Sequence, residues 1–200
     1  MKRYAFLLAT LLTSFAAPVG EVNKDKILGS TTAPVAIEVY SDFECPACKN
    51  FHERLLPLLM RDYVVPGKAY VVSREFPLNI PAHKFSREAA YYATAASRIG
   101  KYQQVSDALF QNQQSWSASG RYWDVIAGVL TPADQKKVQA LAKDPAVIAE
   151  VQSDVNSAGV LKVSQTPTLY LRRGAKQYAF PGPGPENYML LKSLIDGLLK

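Results

Sequence analysis

Cys45 and Cys48 are the two cysteines of this 200-residue chain, and they stand in a single Cys45-Pro46-Ala47-Cys48 run. Ahead of them lies the apolar, β-type stretch Ile37-Glu38-Val39-Tyr40, and a helix-type pattern follows. That arrangement sets both thiols at the first turn of a helix. Unpaired N–H groups and partial positive charge at a helix start stabilise a thiolate. A thiolate of low pKa with a second thiol in reach can make and break disulfides.

Two other uses of a cysteine pair compete with this reading. A zinc site needs about four ligands at tetrahedral geometry. Here there is no second cysteine pair, and the two histidines, His52 and His83, fall in different predicted helices. A purely structural disulfide closing so small a loop restricts the unfolded chain little and stabilises little. Redox chemistry is favoured over both, with no metal and no cofactor beyond the cysteine pair itself.

The chain opens with Met1-Lys2-Arg3 and a mostly apolar stretch from Tyr4 to Phe15, followed by the small residue Ala16. A basic start, a short apolar core and a small-residue exit describe a secretory signal peptide over 1–16. Cleavage after Ala17 would place Pro18 at the scissile bond, so cleavage after Ala16 is expected. The apolar core is about a dozen residues long, short of the roughly 20 that span a bilayer. An uncleaved anchor is the competing reading. Export implies a periplasmic or other extracytoplasmic, oxidising compartment, where disulfides persist. One pair in a chain large enough to build its own core points to a working disulfide rather than a staple. The net charge of +6 is spread along the chain, with no Lys/Arg run interleaved with aromatics, so no nucleic-acid partner is expected.

The elements that must position the thiols follow from periodicity. Residues 17–33 read as a polar lead-in. Pro34 to Tyr40 reads as a buried central strand. Cys45 takes the N-cap and Pro46 the first helical position, where its missing N–H costs nothing. Phe51, Leu55, Leu58 and Leu59 form the apolar face of that helix, and Pro57 is expected to kink it or end its regular part. Lys68 to Phe76 is a second strand. Residues 81–158 then read as an all-helical block, with starts at Thr131-Pro132 and Asp144-Pro145. Thr168 to Leu171 is a strand, Arg172 to Ala175 a turn, and Lys176 to Phe180 the returning strand. The closing helix is expected to bury Met189, Leu190, Leu194, Ile195 and Leu198. The order is βαβ, helices, ββα, within one domain over 17–200.

This order, with a thiol pair after the first strand, resembles the thioredoxin fold. The inserted helical block resembles the DsbA-like exported thiol:disulfide oxidoreductases. The run Val39 to Lys49 is similar to their active-site segment, Glu75-Phe76-Pro77-Leu78 to their second-strand exit, and Val163-Ser164-Gln165-Thr166-Pro167-Thr168 to their cis-proline loop. The resemblance implies an α/β thioredoxin fold with a helical insertion. It makes Cys45 the attacking or attacked sulfur and Cys48 the buried resolving thiol. It implies a cis bond at Pro167 with Thr166 free to pair with a client strand, and a buried acid, Glu38, that moves protons to and from the inner cysteine. An outward-facing or structurally paired Glu38 is the alternative. One departure stands out. The group's strongest oxidants carry a histidine where this chain has Ala47, and Ala47 has no hydrogen bond to give.

The expected activity is oxidation of client dithiols through a Cys45–Cys48 disulfide. The partners implied are exported proteins with free thiols and a membrane protein that oxidises or reduces the pair. A reductase or isomerase kept reduced by that membrane partner is the second reading, and a chaperone-like binding module the third. His52 reads as a surface residue and His83 as a helix-start residue.

Overall fold

A computed structural model describes residues 23–200; the expected signal peptide over 1–16 lies outside the described residues. Five strands form one sheet in the order β1-β3-β2-β4-β5: β1 (Ile27–Leu28), β2 (Val35–Ser41), β3 (Ala69–Glu75), β4 (Thr168–Arg173) and β5 (Lys176–Pro181). β2 runs parallel to β3 and antiparallel to β4, while β1 and β5 close the two edges in antiparallel pairings. Six residues of β2 in a row are buried, as a strand covered on both faces requires.

The polar lead-in contains more structure than its sequence suggests. A 3-10 turn, Lys24–Lys26, is capped by the Asn23 side chain, and the two residues of β1 pair with Val71 and Val72. So short a strand carries no periodicity and exists only through its partner. The second hairpin also differs from expectation. Arg172 and Arg173 belong to β4 and pair with Gln177 and Lys176, so the turn shrinks to Gly174 and Ala175. Gly174 adopts a positive φ of 55°, which glycine tolerates without steric cost.

Helix α1 (Pro46–Asn50) begins directly after Cys45. The helical path continues through a π-type turn at Phe51–Leu55, a short α2 (Leu56–Leu59) and a second π-type turn at Met60–Val64. Pro57 sits in the first turn of α2. Its missing N–H is accommodated by widened turns, so regular α geometry is interrupted while the helix runs on.

Between β3 and β4 lie six helices: α3 (Ser86–Ser97), α4 (Tyr102–Gln111), α5 (Gln113–Ser119), α6 (Tyr122–Gly128), α7 (Pro132–Leu141) and α8 (Pro145–Val160). Thr131 and Asp144 cap α7 and α8 through their side chains, each with proline at the first helical position. The short α5, polar but for Trp116 and Ala118, was not distinguishable in the sequence.

The chain closes with α9 (Tyr188–Leu199). Its buried face is Tyr188, Leu191, Ile195 and Leu198, whereas Met189 and Leu190 are exposed, against expectation. The spacing of three to four residues from Leu191 onward selects the face, and Met189 and Leu190 fall off it.

Two cores result. One packs Val35, Ile37, Val39, Leu169 and Leu171 of the sheet against Phe51, Leu55, Leu191 and Ile195. The other is the interior of the helical insertion, and it includes Phe43, Cys45 and Cys48. The thiols therefore sit at the seam between the two. Among the described residues, no helix is long and apolar enough to cross a membrane.

Candidate active site

Cys45 occupies the N-cap of α1 in extended backbone geometry (φ −76°, ψ 119°), and its carbonyl accepts the N–H groups of Cys48 and Lys49 at 3.0 and 3.1 Å. Cys45 retains 8% of its surface and Cys48 none. The outer thiol is thus more recessed than a helix end would suggest, because the Thr166 loop lies against it. The Cys45 Sγ is 3.3 Å from the Thr166 carbonyl oxygen. The Thr166–Pro167 peptide bond is cis.

The two thiols differ sharply in acidity. A hydrogen bond from the Cys48 side chain lowers the Cys45 thiol from 9.0 to about 6. Burial opposes this, while Thr166 and the backbone N–H groups of Cys48 and Ala47 add to it. The Thr166 hydroxyl is buried and has no hydrogen-bond partner among the described residues. Burial pushes the Cys48 thiol well above 9.0, and the adjacent Cys45 raises it further. The backbone N–H of Asp42, 3.4 Å from the Cys48 Sγ, and the Ser41 side chain work in the opposite direction. Both cysteines are free thiols here.

The active-site turn carries two acids that the sequence reading passed over. The Asp42 carboxylate accepts the N–H groups of Glu44 and Leu78, both at 2.7 Å, and contacts His83 Nδ1 at 2.8 Å. The Glu44 carboxylate accepts the N–H of Phe85 at 2.7 Å. Together they fasten the segment before α3 to the cysteine turn. The signal was legible: two acids inside an otherwise apolar, buried run need partners. His83 accordingly precedes α3 and serves Asp42. His52 is mostly covered, stacked on Phe110 at 4.6 Å and paired with Asp107 at 2.7 Å.

Glu38 is buried as a paired acid, and the structure does not bring it to Cys48. Strand alternation sends Ile37, Val39 and Ser41 to the α1 face of the sheet and Glu38 and Tyr40 to the other. There Glu38 meets Arg172 at 2.7 Å, Arg74 at 3.3 Å and the Tyr40 hydroxyl at 3.3 Å. The expectation of proton traffic between Glu38 and the inner thiol is corrected on this ground. The buried acid on the α1 face is Glu75, in register with Ser41. It accepts a hydrogen bond from Tyr102 at 2.8 Å and pairs with the buried Lys26 at 3.4 Å, and burial raises its carboxyl pKa. Ala47 is exposed, and Pro46 fills the first helical position as expected. Among the described residues, no cluster of three or more His, Cys, Asp or Glu side chains is arranged to hold a metal ion.

Comparison with known proteins agrees with this geometry. The family model described as Thioredoxin matches residues 21–179. The chain is 26% identical over 153 residues to the probable disulfide bond formation protein D of Bacillus cereus, covering 72% of this chain and 68% of that one. Its fold matches that of oxidised BdbD from Bacillus subtilis with a TM-score of 0.71 and 21% identity, over 87% of this chain and 92% of the other. Pseudomonas aeruginosa DsbA2 matches with a TM-score of 0.68 and 21% identity, over 88% and 97%. The chain belongs to the thioredoxin family and, within that fold, to the DsbA-like thiol–disulfide oxidoreductases.

Proposed function

We propose that this protein is an exported oxidase of client dithiols. The observation that carries the reading is the acidity gap between the thiols: Cys45 is lowered to about 6 while Cys48 is raised. A client thiolate attacks the Cys45 sulfur of the Cys45–Cys48 disulfide. The sulfur–sulfur bond breaks, Cys48 leaves as a thiolate and takes a proton, and a mixed disulfide forms. A second client thiolate then attacks the client sulfur and expels Cys45. A stabilised Cys45 thiolate is a good leaving group, which favours this second step. Thr166 and the cis Pro167 lie beside Cys45, where a client backbone can align with them.

Several features extend the reading. The signal peptide expected over 1–16 supports export to an extracytoplasmic compartment, and the Bacillus cereus relative is named for disulfide bond formation. Each cycle leaves both cysteines reduced, so an oxidant must restore the disulfide, a role this reading gives to a membrane partner. Ala47 supports the second reading, a reductase or isomerase, because its side chain supplies no hydrogen bond to the Cys45 thiolate.

Equilibration with glutathione separates the two readings. Reference potentials run from about −270 mV for thioredoxin to about −120 mV for DsbA. A value nearer the upper end, with oxidation of a reduced dithiol peptide, is expected. A value nearer thioredoxin, with no peptide oxidation, overturns the oxidase reading.

A further inference from the structure

One buried side chain of the helical insertion holds the backbone of the cysteine turn. Gln113, the first residue of α5, is only 5% exposed. Its Nε2 lies 2.7 Å from the Phe43 carbonyl oxygen and 2.9 Å from the Cys45 carbonyl oxygen. Both partners are acceptors, so the amide must present its N–H donors to them. The contact joins positions about 70 residues apart.

The surrounding contacts hold this side chain in place. The Phe43 and Phe110 rings lie 4.9 Å apart. Lys49 Nζ donates to the Phe110 and Gln111 carbonyls at 2.8 and 2.9 Å, closing the end of α4 against α1. The α4–α5 junction is thus gripped from α1 while it grips the cysteine turn in return.

We propose that Gln113 is a positioning residue through which the helical insertion sets the reactivity of Cys45. The peptide groups that stabilise the Cys45 thiolate are those of Ala47 and Cys48, one turn of chain from the carbonyls that Gln113 holds. Fixing the Phe43 and Cys45 carbonyls fixes the peptide planes that lead into those N–H groups. Donating to the same carbonyls also offsets two negative dipole ends close to the sulfur. Both effects favour thiolate over thiol. The thioredoxin core alone does not supply this donor, since α5 belongs to the insertion.

The inference rests on Cys45 being the reactive thiol, and the test keeps the two apart. Gln113→Met retains the length of the side chain and removes its donors. Iodoacetamide rates against pH give the Cys45 pKa, glutathione equilibration gives the potential, and thermal unfolding gives the stability. For Gln113→Met we expect a Cys45 pKa higher by about half a unit to one unit, read as a roughly 3- to 10-fold slower alkylation at pH 5. The potential should become more negative by about 15–30 mV, that shift converted at 30 mV per 1.4 kcal/mol. Val138→Ala, in the insertion core away from the turn, should lower the melting temperature and leave both quantities unchanged. If Gln113→Met does not fold, Gln113→Glu keeps the shape and replaces the donors with a carboxylate, and a pKa shift in the same direction is expected. A Cys45 pKa and potential equal to the parent's, whatever the melting temperature, make Gln113 merely structural and overturn the proposal. A parent in which Cys45 is not the faster-reacting thiol removes the assignment of roles, and this inference falls with it.

Discussion

The Cys45 sulfur lies 3.3 Å from the carbonyl oxygen of Thr166, a residue 121 positions further along the chain. That contact brings the helix start and the cis-proline loop into one site. The loop covers the sulfur, and burial opposes its acidity; Cys45 is acidic because the Cys48 side chain and the N–H groups of Cys48 and Ala47 outweigh that burial.

The first expected outcome concerns pH. In the reduced native protein, Cys45 should be alkylated by iodoacetamide with a rate that rises through pH 6, while Cys48 stays protected; peptide mass spectrometry identifies the labelled thiol. The same acidity acts on stability. Folding depresses the Cys45 pKa from 9.0 to about 6. A depressed acid stabilises the fold fully above its unfolded pKa and loses that stabilisation as pH falls through the folded one. The stability of the reduced form relative to the oxidised form should therefore rise by about 1.4 kcal/mol per pH unit between pH 6 and roughly 8.5. Denaturant midpoints of both forms across that range check it. A flat difference would contradict the low pKa.

Cys48→Ala should trap mixed disulfides with clients, because the intramolecular thiol that resolves them is gone. Cys45→Ala should trap none, its remaining thiol being buried and poorly acidic. Non-reducing gels of the exported fraction would show adducts that vanish with reductant. Equal trapping by both variants reverses the roles assigned here.

Ala47→His places a donor in the first turn of α1, beside the Cys45 thiolate. The Cys45 pKa should fall, and the potential should become less negative by about 30 mV for each 1.4 kcal/mol of thiolate stabilisation gained. Thiolate absorbance against pH and glutathione equilibration measure the two. Values unchanged from the parent would show that residue 47 does not set the redox poise.

Glu38→Gln tests the corrected role of that acid. Removing one charge from a buried cluster leaves Arg74 and Arg172 incompletely compensated, at a cost of about 3–5 kcal/mol. Chemical denaturation should show this loss, with the Cys45 alkylation profile unchanged. An altered thiol profile at full stability would return Glu38 to the redox chemistry.

What the sequence determined by itself were the features set by neighbours along the chain. Cys45 at an N-cap, Pro46 at the first helical position, and the capped starts of α7 and α8 depend on a few adjacent residues, and local backbone preference is enough to specify them. The βαβ and ββα halves were readable for the same reason, since hydrophobic period is a local property. The tertiary structure alone decided everything that depends on which surfaces meet. It gave the two-residue β1 a partner and chose Leu191 over Met189 and Leu190 for the buried face of α9. It turned Glu38 away from the thiols and put Glu75 on their side of the sheet. It also delivered Thr166 and Gln113 to Cys45 from distant parts of the chain. Hydrogen bonds between residues about 70 or 121 positions apart leave no mark on either segment's own periodicity, and they exist only once both cores have packed around the cysteine turn.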